Sequence, residues 1–212
     1  MRIVGGRHRG RRLLAPPGDT VRPTSDRARE ALFNILSHGR LAADGSPIAG
    51  AVVLDAFAGT GALGLEALSR GAAEAVFIER DPEAVAVLRR NVASLGESAH
   101  AEIVPGDAAR PPSARMGCAV AFVDPPYRSG LAAPALEALD RTGWLVPDAL
   151  AIVELGAREQ LVPPAGFALL DERVYGAARL VFLRRGDGPS GEKQRKSSSG
   201  GQSGRWPAGN DQ

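Results

Sequence analysis

Residues 51–68, AVVLDAFAGTGALGLEAL, prescribe a strand, a glycine turn and a helix in immediate succession. Ala51–Asp55 is an apolar run closed by an acid. Gly59, Gly61 and Gly64 then form a G-x-G-x-x-G that opens into a helical stretch, Leu63–Ser69. That order is the context in which a glycine turn cradles an adenosine-bearing ligand at the edge of a parallel sheet. The turn alone does not separate a nicotinamide dinucleotide from another adenosine-containing cofactor.

The rest of residues 50–185 repeats the pattern. Ala75–Glu79, Ala101–Val104, Ala119–Asp124 and Leu150–Leu155 read as further strands, and Pro82–Leu95 as a helix with proline in its first turn and Gly96 at its end. Near-continuous apolar strands alternating with helices predict an α/β fold whose parallel sheet is covered on both faces. Phe167–Val174 and Arg179–Leu183 flank a short glycine turn and predict an antiparallel hairpin at the end of the sheet. Ahead of the sheet, Ala28, Leu32, Ile35 and Leu36 make one stripe of a helix over 24–40, with Thr24 or Ser25 as cap and Gly39 as stop. The expected organisation is a basic arm and helix over 1–40, a sheet domain over 41–186, and a Gly/Ser-rich tail over 187–212. The tail holds too little apolar surface to offset its ordering entropy.

Composition removes several classes. Cys118 is the one cysteine, which rules out an intrachain disulfide, and it begins an apolar strand, as a buried thiol does. His8, His38 and His100 are scattered and not at ligand spacing, so no metal site is expected. No apolar run reaches the ~20 residues of a membrane span, and the basic start lacks the apolar core of a signal peptide. A cytoplasmic protein without membrane contact is the expectation. The net charge of +2 is small, so any nucleic-acid contact must come from where the charge sits.

Ligands of an open α/β sheet lie beyond the carboxyl ends of its strands, and three predicted strands end there in acids. Asp55 closes the first. Glu79 closes the second, where a carboxylate can hold both ribose hydroxyls. Asp107 follows the third, at the height of an adenine edge. The fourth strand runs into Asp124-Pro125-Pro126-Tyr127. Two prolines stiffen that loop and remove two backbone donors. The Asp124 carboxylate and the Pro125 carbonyl are then acceptors for the two hydrogens of an exocyclic amine, and Tyr127 can stack on a base taken out of its helix. Hydride transfer is disfavoured, because neither tyrosine is followed four residues later by lysine. No G-x-x-x-x-G-K exists for a P-loop. Arg2, Arg7, Arg9, Arg11 and Arg12 all precede the first acid, Asp19, on a glycine-containing segment expected to be flexible and suited to phosphates.

Arg2-Ile3-Val4-Gly5-Gly6, Arg9-Gly10-Arg11, Arg22-Pro23-Thr24-Ser25-Asp26-Arg27, Leu32-Phe33-Asn34, the block from Asp55 through Phe57 to Ala67, and Asp124-Pro125-Pro126-Tyr127 together resemble the RsmD family, over about residues 1–185. The glycine loop and D-P-P-Y are shared by many amino-methyltransferases; the R-P-T-x-D-R block is the more specific part. The resemblance implies a class I S-adenosylmethionine-dependent methyltransferase fold, a Rossmann-like sheet, mostly parallel with a C-terminal antiparallel hairpin and flanked by helices. It implies S-adenosylmethionine as the methyl donor. It implies as target the N2 amine of one guanine in 16S rRNA, in the assembling or assembled 30S subunit. It places the cofactor at Asp55, Phe57, Gly59, Gly61, Glu79 and Asp107, the chemistry at Asp124, Pro125, Pro126 and Tyr127, and RNA at Arg2, Arg7, Arg9, Arg11, Arg12 and Arg22. A DNA adenine-N6 methyltransferase and a non-enzymatic RNA-binding or assembly protein stand as alternatives.

Overall fold

The computed structural model describes residues 1–15, 26–43 and 45–186. Arg22, the caps Thr24 and Ser25, and the tail 187–212 lie outside the described residues. The elements are α1 (Asp26–His38), β1 (Val52–Ala56), α2 (Ala62–Ser69), β2 (Glu74–Glu79), α3 (Pro82–Leu95), β3 (Ala101–Pro105), β4 (Cys118–Val123), α4 (Ala132–Arg141), β5 (Leu145–Gly156), β6 (Phe167–Tyr175) and β7 (Ala178–Arg185).

The strands form one sheet in the order β3-β2-β1-β4-β5-β7-β6. The first five are parallel, and β7 runs antiparallel to both β5 and β6. This is the predicted mostly parallel sheet closed by an antiparallel hairpin. The side-chain period of 2 splits the strand residues between two cores. Val53, Phe77, Val120, Phe122, Ile152 and Phe182 face α1, α2 and α3. Leu54, Ile78, Ala121, Val123, Val153 and Val181 face α4. The order reverses between β1 and β4, which opens a crevice at their carboxyl ends.

Several boundaries differ from expectation for identifiable reasons. The fourth strand ends at Val123, not Asp124, because Pro125 and Pro126 have no N–H to donate to the ladder. The Asp124 N–H reaches only the Ala56 carbonyl, at 3.4 Å. Helix α4 was not foreseen. Its Pro134 reads as a breaker, but it sits in the first turn, where the missing N–H costs nothing. Strand β5 begins five residues before the expected Leu150. Pro147 and Asp148 (φ 61°) mark the irregular stretch where its pairing with β4 shifts register.

The basic arm is packed down on the body. Ile3 N–H donates to the Arg11 carbonyl and Gly10 N–H to the Ile3 carbonyl, both at 2.9 Å, so residues 1–13 double back as a tight hairpin. Ile3 and Leu13 are buried in the same core as Leu32, Phe33 and Leu36 of α1. Two carboxylates hold the arm from outside it. Glu66 on α2 accepts the Val4 and Gly5 N–H groups, each at 2.8 Å. Glu97, just past α3, takes the Arg7 guanidinium at 2.6 and 2.7 Å and pairs with His8. Gly6 (φ 73°) is required at this contact, since a Cβ there would lie 1.9 Å from the Ser69 carbonyl oxygen.

Candidate active site

The turn between β1 and α2 is built from the inside. Gly64 lies against the β2 side of the sheet, and a Cβ on it would meet the Phe77 ring at 2.4 Å, so only glycine lets α2 pack this close. The Gly64 N–H donates to Asp55 Oδ2 at 2.8 Å. Phe57 takes a left-handed backbone, φ 63°, a strained state for a side chain of that size. Gly59 N–H donates to Glu79 Oε2 at 2.7 Å, and Asp81 N–H to Glu79 Oε1 at 2.8 Å, which ties the turn to the end of β2. Nothing lies within 4 Å of a Cβ built on Gly59; the space beside it is the mouth of a cavity.

That cavity has a volume of about 500 Å³, within the range of small-molecule sites. It is lined by Asp55, Phe57, Gly59 and Glu79 from β1, the glycine turn and the end of β2, and by Asp124, Pro125, Pro126, Tyr127 and Glu154 from the D-P-P-Y loop and β5. The structure therefore brings the glycine turn, the acid of β2 and the D-P-P-Y loop to one crevice. Gly61 sits beneath it as the left-handed cap of α2. Asp107 follows β3 in the loop beside the cavity. Its Oδ1 accepts the Ala109 N–H at 2.9 Å, and its neighbours Gly106 and Ala108 line the cavity.

Ala56, not Asp55, closes β1, and Asp55 is buried beneath the turn as its brace. Burial pushes its carboxyl up to about 7, partly offset by the Gly64 N–H and reinforced by the nearby Glu79 charge. A folded-state value above the ordinary 3.8 means the folded protein retains a proton that the unfolded chain releases. The resulting stability is full below pH 4 and is lost as pH rises through 7. Asp55→Asn, which keeps an acceptor for Gly64 but cannot ionise, should lack that loss. Relative to wild type it should gain roughly 3–5 kcal/mol between pH 4.5 and 8.5. Urea denaturation across that range checks this; parallel curves for the two proteins would contradict it.

Sequence reasoning missed Glu154, a buried carboxylate near the end of β5 whose Oε1 accepts the Tyr127 hydroxyl at 2.9 Å. It read as one more polar residue closing an apolar strand, and only the pairing of β4 with β5 sets it beside the D-P-P-Y loop. Cys118 is fully buried as expected, with its thiol pushed up to about 12 by burial. Among the expected RNA-contacting arginines, Arg7 is committed to Glu97, and Arg11 donates to the Ser94 carbonyl at 2.6 Å. Arg2, Arg9 and Arg12 are exposed. Among the described residues no cluster of metal-ligating side chains occurs, and no helix is long and apolar enough to cross a membrane.

Comparison with known proteins places this arrangement. The chain is 41% identical over 194 residues to the ribosomal RNA small subunit methyltransferase D of Escherichia coli (strain K12), an alignment covering 90% of this chain and 93% of that protein. It is 36% identical to the protein of the same name from Haemophilus influenzae, covering 83% and 89% of the two chains. The solved structure of the putative methyltransferase yhhF from Escherichia coli superposes with a TM-score of 0.72 at 38% identity, over 88% of this chain and 98% of that one. The family model described as Conserved hypothetical protein 95 matches residues 1–184, and with a methyltransferase sheet, a glycine turn and a D-P-P-Y loop meeting in one crevice, this chain belongs to that family.

Proposed function

We propose that this chain is an S-adenosylmethionine-dependent methyltransferase that modifies the exocyclic N2 amine of one guanine in 16S rRNA of the small ribosomal subunit. The observation that supports the reading is the cavity itself, whose lining joins the glycine turn and Glu79 with the D-P-P-Y loop. The residues fit such a donor: Gly59 leaves room for it to approach the backbone, and Glu79 stands where ribose hydroxyls need acceptors. S-adenosylmethionine would supply a methyl group activated by its sulfonium.

The protein's share is alignment and polarisation. The Asp124 carboxylate and the Pro125 carbonyl accept the two amine hydrogens, which draws the nitrogen's electron density out of the ring and toward the methyl carbon. Tyr127 stacks on the flipped base and fixes its plane. Asp124, or water, would take the proton that the amine nitrogen loses when it is methylated. Arg9 and Arg12 are the exposed arm arginines proposed to meet backbone phosphates, while Arg7 and Arg11 hold the arm in place.

The test offers labelled donor with 30S particles, protein-free rRNA or duplex DNA, followed by nucleoside mass spectrometry. The expected product is N2-methylguanine in the small-subunit rRNA; label in N6-methyladenine of DNA would overturn the reading. Arg9→Ala with Arg12→Ala should also flatten the salt dependence of RNA binding, by about 0.7 log units per lost single-strand contact.

A further inference from the structure

We infer that Glu154 reads the N1–H of the target base and so selects guanine over purines whose N1 is an acceptor. The inference rests on the proposed function and extends it to a residue outside the glycine turn and the D-P-P-Y loop. Strands β4 and β5 are parallel neighbours in the register Val123↔Val153, so Asp124 and Glu154 follow in step at the same level of the sheet. Adjacent strands lie about 4.8 Å apart. Both residues line the cavity.

Guanine presents N1–H and N2–H₂ side by side on one edge, three donors in a row. A base whose amine is held by Asp124 and Pro125 turns its N1–H toward the neighbouring strand, where Glu154 ends the row of acceptors. Tyr127 donates to Glu154 Oε1, which fixes the carboxylate's orientation. A carboxylate has about four lone-pair positions and accepts from the phenol and from a base donor together. Burial sharpens the choice, because Glu154 is desolvated: an N1 lone pair facing its acceptor oxygen leaves two buried acceptors opposed with no proton between them.

The discriminating substrate is 2-aminopurine, which carries the same exocyclic amine but has an acceptor at N1. Small-subunit particles are reconstituted with 16S rRNA ligated to carry either guanine or 2-aminopurine at the mapped target, and single-turnover methyl transfer is measured. Wild type should favour guanine by ~30-fold or more. Glu154→Gln keeps the acceptor for Tyr127 and offers an N–H to the 2-aminopurine N1, so the preference should collapse to within ~3-fold or reverse. Tyr127→Phe should slow both substrates and retain the preference. If Glu154 only anchored Tyr127, Glu154→Gln, which keeps that anchor, would leave the guanine preference intact, and that result would overturn the inference. Equal rates for the two bases in wild type would also overturn it, whether or not the Gln variant folds. Transfer to neither base by wild type would instead remove the proposed function, and this inference with it.

Discussion

Asp124→Ala is expected to lower methyl transfer by roughly 10²–10³-fold while leaving affinity for the donor within a few-fold of wild type. The size follows from losing one preorganised polar partner where charge develops during reaction. The separation from donor binding follows from the roles proposed for the lining: Asp124 belongs to the D-P-P-Y loop, whereas the donor's cradle is the glycine turn and Glu79. Asp124→Asn should recover part of the rate, because its carbonyl still accepts one amine hydrogen. Rapid-quench measurement of transfer, paired with calorimetry of donor binding, checks both halves. Wild-type turnover in the Ala variant would remove Asp124 from the chemistry, and a parallel collapse of donor affinity would place it in the cofactor cradle.

A comparably large effect, on stability, is expected at a residue far from any substrate. Glu66 is fully buried on α2 and gathers the arm and α1 around one carboxylate. It accepts the Val4 and Gly5 N–H groups, is bonded by Arg70 Nε at 2.7 Å, and stands 3.8 Å from Arg29 Nε, itself fully buried. Removing the acid takes a carboxylate away from the buried Arg29 guanidinium and from that of Arg70, and leaves the Val4 and Gly5 N–H groups without their acceptor. Breaking one side of a buried pair costs ~3–5 kcal/mol, a third or more of a typical domain's stability. Glu66→Ala should therefore lower the melting temperature by roughly 10 °C or more. It should also loosen the arm, seen as faster exchange of the Val4 and Gly5 amides. A loss below ~1 kcal/mol would show that the arm docks through Ile3, Leu13 and Glu97 alone.

These results would also sort the ways in which this chain was legible. The alternation of strands and helices, the closing hairpin, the glycine turn and the D-P-P-Y loop were all readable from residue order. Each is set by neighbours within a few positions: period-2 apolar runs, glycines at the turn, prolines that stop a ladder. Helix α4 and the start of β5 escaped because Pro134 and Pro147 carry a local meaning that their positions overrode.

By itself, then, the sequence determined the sheet, the crevice and which side chains can carry the chemistry. Only the tertiary structure decided the partners of its charges. Arg7 looks the same in sequence whether it meets a phosphate or a carboxylate; it meets Glu97, 90 residues away. Glu66 is one acid of an ordinary helix until Val4, 62 residues earlier, donates to it. Asp55, which lines the cavity, also braces the glycine turn through the Gly64 N–H, and Glu154 turns from a strand residue into part of the cavity lining. A charge acts through what lies within a few ångströms of it, and which elements come that close is fixed by packing over separations that local pattern does not encode.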